Sequence, residues 1–481
     1  MSGLQPIGPR PVTVAENTLP EIAERGVPTP SYDRRSLSPG ILHAGVGGFH
    51  RAHMAVYTDD VAAVGGRWGI RGVGLLETDR RMADTLSAQD HLYTVIERDN
   101  SGARPRVIGS IVDYAFLAGS TDSFAQHVAN DQVEILSLTI TESGYSLAGP
   151  NPTIEAIVSA LDARRCAGGR PLTVLSCDNL SGNGDVARQA IMTVAGARSD
   201  ELTRYVESAC SFPNSMVDRI TPQTKDEDRT WLLDEFGIDD GWPVVCESFR
   251  QWVIEDRFAL GRPDWQDAGV LFTDRVHDWE RYKLRMLNAG HSCLAYLMAL
   301  AGVVYVDEAV AIPVVRQYLE QFLALEAIPT LTEIPGHPAS AYATTVLDRF
   351  DNRRMRDQIA RLCIDGTAKF PNFLIPTVEA QVERDGPVSR AALALAAWSR
   401  YLGTVPANER APDSLGDRAT ALASRSIDEP LGFLELDEVF PSAVRDSERF
   451  REAFATASRN LAERGPIGAI EEVLTQRLFL A

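Results

Sequence analysis

Cysteine is scarce. There are six in 481 residues, at Cys166, Cys177, Cys210, Cys246, Cys293 and Cys363, and no two form a Cys-x-x-Cys pair. This excludes a disulfide framework and the paired spacing of a structural zinc site, and it points to a reducing compartment. Long apolar runs are also missing. The longest, Leu294 to Val306, is too short to span a bilayer. Met1 to Arg25 lacks the apolar core of a secretory signal. The expectation is a cytoplasmic protein with no membrane partner. Positive charge is in short supply as well, with 47 Lys and Arg against 66 Asp and Glu and a net charge of -19. That is the wrong sign for nucleic acid or an anionic membrane surface.

What is present is ordinary globular composition, 44% hydrophobic and 23% charged, in a chain long enough for two or three domains. Residues 1–38 are rich in proline and polar residues and read as an arm, with one short helix from Leu19 to Arg25 ended by Gly26. Then Ile41-Leu42-His43-Ala44-Gly45-Val46-Gly47-Gly48-Phe49-His50-Arg51 runs from a short strand through a glycine turn into a helix of roughly 15 residues. Glycines there let the backbone approach a pyrophosphate seated at the helix N-terminus. The third glycine of the usual fingerprint is missing, and His50 stands in its place. His50 and His53 have helical spacing, but no third metal ligand is evident; they read as packing near the cofactor phosphates. A second strand, Trp68 to Leu76, ends at Glu77, a carboxylate suited to a ribose 2′-OH.

Further β-like runs fall at Tyr93 to Glu97, Val107 to Val112, Val133 to Thr141 and Leu172 to Cys177. Helical patterns such as Ile154 to Arg165 separate them. This alternation predicts an α/β Rossmann-like domain with a mostly parallel, doubly wound sheet. Ligands in such sheets bind beyond the strand C-termini. Polar clusters follow three likely strand ends, at Thr141–Tyr145, Cys177–Gly184 and Met216–Pro222. From about 283 onward the periodicity is helical, through Val314–Leu325, Arg356–Cys363, Ser447–Arg464 and Ile467–Leu478 among others. The expected division is therefore an arm (1–38), a dinucleotide-binding domain (39–281) and a mainly α-helical C-terminal domain (282–481).

The stretch that organises the chain is Tyr282-Lys283-Leu284-Arg285-Met286-Leu287-Asn288-Ala289-Gly290-His291-Ser292. It reads as the start of a long, largely buried helix. At about 100° per residue, Lys283, His291 and Asn288 fall at roughly 0°, 80° and 140°, so all three can face one cavity. A lysine and a histidine on an apolar helix are costly unless paired or used. With Glu142, Asn179 and Asp218 they are expected to converge on a cleft between the sheet and the helical domain. Arg361 and Lys369 are added from the helical half.

These motifs resemble the polyol-specific long-chain dehydrogenases and their mannitol branch in particular. The matching elements are Gly45 to His53, Cys177-Asp178-Asn179-Leu180, Phe212 to Pro222, Phe249 to Asp256 and the Lys-x-x-x-x-Asn-x-x-His pattern at 283, 288 and 291. The resemblance runs from about residue 40 to the C-terminus. It implies a metal-independent, NAD-linked oxidation of a secondary alcohol to a ketone, D-mannitol to D-fructose, with the enzyme a monomer or small homo-oligomer. Lys283 matches the general base. Asn179 and Asn288 match the amides that hold the substrate oxygen, and His291 matches a residue orienting substrate and lysine. Asp218, Arg361 and Lys369 match positions lining the polyol site. Glu280 matches a carboxylate linked to proton passage, to which Glu142 is added. Gly45, Val46, Gly47, Gly48, Phe49, Arg51 and Glu77 are the expected cofactor-binding residues.

The chemistry agrees. A lysine can take the hydroxyl proton only when neutral, so its pKa must fall from about 10.4 towards the working pH. Two neutral amide donors favour an alkoxide-like transition state. Thr78 follows Glu77 where many relatives carry a second acid, which leaves NADP open beside NAD. Hexuronate reduction (fructuronate or tagaturonate) and oxidation of D-arabinitol or D-sorbitol are the alternatives.

Overall fold

Six strands of the first half lie side by side, all parallel. They are β1 (Ser38–Ala44), β2 (Trp68–Gly74), β3 (Ile111–Phe116), β4 (Ile135–Leu138), β5 (Leu172–Ser176) and β6 (Cys210–Ser211). Their spatial order is β3-β2-β1-β4-β5-β6. The chain winds outward from β1 to one edge, then returns to β4 and winds to the other. The reversal beside β1 leaves a crevice at the strand C-termini, the usual place for a ligand in such sheets.

The computed structural model describes residues 10–118 and 120–475. It divides into two units, one ending at His277 and one beginning at Asp278. Residues 1–9 of the expected arm and the end of the expected Ile467–Leu478 helix lie outside the described residues.

In the first unit both faces of the sheet are covered, as parallel strands require. Leu42, Val73, Leu136 and Val174 face one way, against Phe124, Ile157, Leu161 and Ile191 of the crossover helices. Ile41, Ile70, Ile135 and Leu175 face the other way, towards Tyr57, Trp252 and Trp265. The alternation of burial partners follows the two-residue period of each strand.

Three expectations change. Val107–Val112 is not one strand: Gly102–Ile108 ends at Gly109, where a Cβ would lie 2.7 Å from Pro30. β3 then begins at Ile111, and Tyr93–Asp99 and Gly102–Ile108 pair antiparallel in a separate three-stranded sheet. The helix after the glycine turn is two pieces, Gly48–Ala52 and Met54–Ala63, broken at His53 (φ -121°, ψ -91°). Finally, the described part of the arm joins a core. Val12–Thr13 pairs parallel with Ile238–Asp239, and Val14, Ile22 and Val27 pack with Leu92, Val107 and Leu232.

The second unit is helical. Its centre is Ser389–Thr404, apolar all round and buried from Arg390 to Ser399. It packs against Ala289–Leu300 and Glu448–Thr475. The latter breaks at Gly465 (φ 68°), followed by Pro466. Two segments are π-helical, Lys283–Asn288 and Phe322–Ala327, and they touch each other. Arg356–Cys363 is helical only over Ile359–Leu362.

Glu326, on the second π turn, is fully buried. It accepts hydrogen bonds from the amides of Arg390 (2.8 Å) and Ala391 (2.9 Å), capping the central helix, and meets the Arg390 guanidinium at 3.5 Å. Burial pushes its carboxyl up to about 7, although all three donors pull the other way.

Two predictions follow from this packing. Gly45→Ala, at φ +92° with a Cβ 2.1 Å from the Thr139 carbonyl oxygen, lowers the thermal midpoint by about 5 °C, roughly 3 kcal/mol; an unchanged midpoint would contradict this reading of the turn. For Glu326, the folded state keeps a proton between pH 4.5 and 7 that the unfolded state has lost, so wild-type stability falls as pH rises through that window. Glu326→Gln removes that contribution to the slope, roughly 3 kcal/mol across the window, and unfolding free energies of the two proteins at several pH values measure it.

Candidate active site

At the sheet's C-terminal edge the glycine turn rests on a neutral floor. His43 on β1 is fully buried, with Nδ1 2.8 Å from Ser137 Oγ and Nε2 2.9 Å from Thr139 Oγ1. The Thr139 hydroxyl donates to the Gly45 carbonyl at 2.6 Å. The His50 ring stacks on His43 at 3.4 Å, and burial drives both imidazoles down in pKa, His43 to about 3. Gly45 admits no side chain. A Cβ on Gly47 or Gly48 would meet nothing closer than 3.8 and 3.7 Å, so the backbone above them is open to a large ligand. Val46 is buried and Phe49 stacks on His53 at 4.9 Å. His53 is itself a core residue, bonded through Nε2 to the Gln251 carbonyl at 3.0 Å.

Arg51 is placed differently from its neighbours. Its side chain is 1% exposed, bonds the Trp242 carbonyl and lies over the Tyr93 and Trp242 rings at 5.2 and 5.6 Å. Its guanidinium is thus spent on the Trp242 carbonyl and these rings. Glu77 opens a short turn beyond the end of β2, exposed, and pairs with Arg80 at 2.6 Å.

The tips of β4 and β5 are stapled by Asp178. Its carboxylate accepts from the amides of Ile140 (3.1 Å) and Thr141 (2.8 Å) and from the Tyr145 hydroxyl (2.6 Å). Burial raises its pKa against these bonds. The staple holds Thr141 at φ +65° and fixes the turn that carries exposed Glu142. Asn179, next after Asp178, is exposed. Asn183 ties the same loop to the strand Ser215–Asp218, donating to the Ser215 carbonyl at 2.8 Å and accepting from its amide at 2.9 Å. That strand ends at buried Asp218. Arg219 follows, donating to the Ala52 carbonyl at 2.6 Å and so closing the C-terminus of Gly48–Ala52.

In the second unit, Val276–Tyr282 leads into the π turn Lys283–Asn288 and then into Ala289–Leu300. The Ala289 amide reaches back five residues to the Leu284 carbonyl. This wider turn draws residues five apart, Lys283 and Asn288, towards one face, where an α-helix would part them. Lys283 is 8% and Glu280 5% exposed. The Asn288 amide oxygen is buried without a hydrogen-bond partner among the described residues. His291 stacks on Phe350 at 4.3 Å, an approach that Gly290 allows, since a Cβ there would lie 3.2 Å from that ring.

His291 Nε2 lies 4.0 Å from Asp357 Oδ2. Asp357 in turn accepts from Arg361 through both carboxylate oxygens, at 2.7 Å from Nε and also from Nη2. Lys369 Nζ donates to the carbonyls of Arg361 (3.3 Å) and Leu362 (3.2 Å). Burial, then the Arg361 charge, lower its pKa. The helix carrying Lys369, Gly366–Phe373, packs against the π turn. His291, Arg361 and Lys369 thus form a continuous polar run. Asp357 was missed in the sequence because it sits in a loop with no motif around it. Asp178 and Asn183 lie inside the Cys177–Gly184 cluster, where spacing alone does not reveal their bonding. Among the described residues no three His, Cys, Asp or Glu side chains group as a metal site would.

Comparison with known proteins bears on the whole chain. Residues 39–267 match the mannitol dehydrogenase Rossmann domain, and residues 275–462 match the mannitol dehydrogenase C-terminal domain. Mannitol 2-dehydrogenase of Phaeosphaeria nodorum is 38% identical over 96% of this chain and 86% of its own. Among solved structures, the ternary complex of Pseudomonas fluorescens mannitol 2-dehydrogenase with NAD and D-mannitol superposes with a TM-score of 0.86 at 38% identity, covering 97% of this chain and 100% of that one. A D-sorbitol dehydrogenase in substrate-free form gives 0.87 at 35% identity over 95% and 100%. With both of its halves matched and this identity sustained along its length, the chain belongs to the mannitol dehydrogenase family.

Proposed function

We propose that the protein oxidises D-mannitol to D-fructose with NAD, reversibly, with Lys283 as general base and no metal. The observation that carries this reading is the π turn, which buries an amine and an amide with an unpartnered oxygen on one short segment. The relative solved with NAD and D-mannitol matches 97% of this chain, which supports the choice of cofactor and substrate.

NAD, when bound, accepts the hydride that leaves the alcohol carbon. The glycine turn suits it, since Gly45 excludes a side chain and Gly47 and Gly48 leave room for a pyrophosphate. Val46 and Phe49 flank that space, the paired imidazoles lie beneath the turn, and Arg51 follows them on the helix Gly48–Ala52. Glu77 would accept from a ribose hydroxyl and repel a 2′-phosphate, which favours NAD over NADP. Lys283 takes the hydroxyl proton; burial acts to keep the amine uncharged, as that task requires. Asn288 and Asn179 donate amide N–H groups to the oxygen as it gains charge. His291 orients substrate and amine. Arg361, Lys369 and Asp218 meet the remaining hydroxyls with donors and an acceptor. Glu280 and Glu142 pass the released proton to solvent.

D-Sorbitol is the second reading for the substrate, favoured by the D-sorbitol dehydrogenase likeness. A panel of D-mannitol, D-sorbitol, D-arabinitol and fructuronate, with NAD and NADP, read by reduced-nicotinamide absorbance, tests both. The expected outcome is turnover highest with D-mannitol and NAD and undiminished by a chelator. Lys283→Ala should lose about 10² to 10⁴ in kcat with NAD still bound. Turnover of fructuronate alone would overturn the substrate, and an unimpaired Lys283→Ala would overturn the base.

A further inference from the structure

Asp357 belongs to no expected role, yet it occupies the middle of the polar run in the second unit. It is 12% exposed on its side chain, between His291 at 4.0 Å and the Arg361 guanidinium. Arg361 itself is 54% exposed. A long, half-exposed arginine has many rotamers, and ordering it costs side-chain entropy. A fork-to-fork contact with a fixed carboxylate removes most of that freedom before a ligand arrives.

The carboxylate is fixed by its backbone. The Val306 amide donates to the Asp357 carbonyl at 2.9 Å and the Ile359 amide to the Val304 carbonyl at 2.9 Å, with Tyr305 and Gln358 bridged between them. This two-strand clip pins Asp357 immediately before the helix Ile359–Leu362, which carries Arg361. An ordinary surface ion pair has no such anchor and contributes little. The charges agree with the geometry: burial works against the carboxylate, but the Arg361 bonds and the neighbouring Arg361 and His291 charges outweigh it and hold Asp357 below its ordinary pKa. Arg361 is held above its own by the same contact.

We propose that Asp357 is a positioning residue: it fixes the Arg361 guanidinium at a set place relative to His291 and thereby sets polyol binding. His291 serves the reacting end of the substrate and Arg361 its further hydroxyls, so the carboxylate between them fixes the spacing at which a polyol is read. This rests on the polyol dehydrogenase reading above.

The test is a double-mutant cycle with Asp357→Asn, Arg361→Ala and the pair, in the full-length enzyme. Asp357→Asn keeps the shape and one acceptor but loses the charge. Its KM for the polyol should rise roughly 10- to 100-fold, with kcat within about threefold and the KM for NAD unchanged. The double variant should be no worse than Arg361→Ala alone, because the carboxylate acts through the guanidinium. An unchanged polyol KM, or losses that multiply in the double variant, would overturn the proposal. A fall in kcat and in both KM-derived affinities together would mark a merely structural role and also overturn it. If Asp357→Asn melts early, Arg361→Lys supplies the second arm: it keeps the charge but not the fork, and should reproduce most of the KM rise at native stability. Wild-type enzyme without any polyol turnover would instead defeat the polyol reading itself.

Discussion

An amine does not stay buried in a protein without a reason. Lys283 is 8% exposed on a helix whose following residues, from Ala289 to Met298, are almost all buried. The proposed role needs the free amine, the only form able to take a proton from an alcohol, and burial favours that form. The π turn and the helix after it carry that amine together with the Asn288 amide and the His291 imidazole. One extra residue per turn moves Asn288 round towards Lys283, and it costs the regular hydrogen-bond ladder only over Lys283–Asn288. The neighbouring π turn, held by Glu326 at the N-terminus of the central helix, gives it a rigid wall.

The first unit solves a separate problem, that of offering backbone to a charged ligand without a charged side chain in the way. The glycine turn is uncharged beneath: His43 and His50 are stacked, buried and driven neutral. Arg51 and Arg219 lie within 4% exposure and bond main-chain carbonyls. Asp178 and Asn183 lock the strand tips that follow.

Much of this was legible in the residues. Apolar β-branched runs such as Val133 to Thr141 signal strands covered on both faces, and Ile135–Leu138 lies mid-sheet with all four residues buried. The glycine turn announced itself because Gly45 has no substitute. Other features carry no local signature. A π turn differs from an α-helix by one residue per turn, and the apolar spacing of Met286, Leu287 and Leu294 suits either. Val107 to Val112 reads as one strand because tertiary packing at Gly109 and Ser110, not composition, divides it. Asp357 is invisible in sequence because its partners are 66 residues away at His291 and in a helix of only four residues.

The most direct test of the buried amine is the pH dependence of kcat/KM for polyol oxidation, compared between wild type and Lys283→Ala. The account predicts that the wild-type rate rises with pH through one ionisation far below the 10.4 or so of a free lysine, and that this limb is absent from the variant. The same limb surviving in Lys283→Ala would show that another group takes the proton.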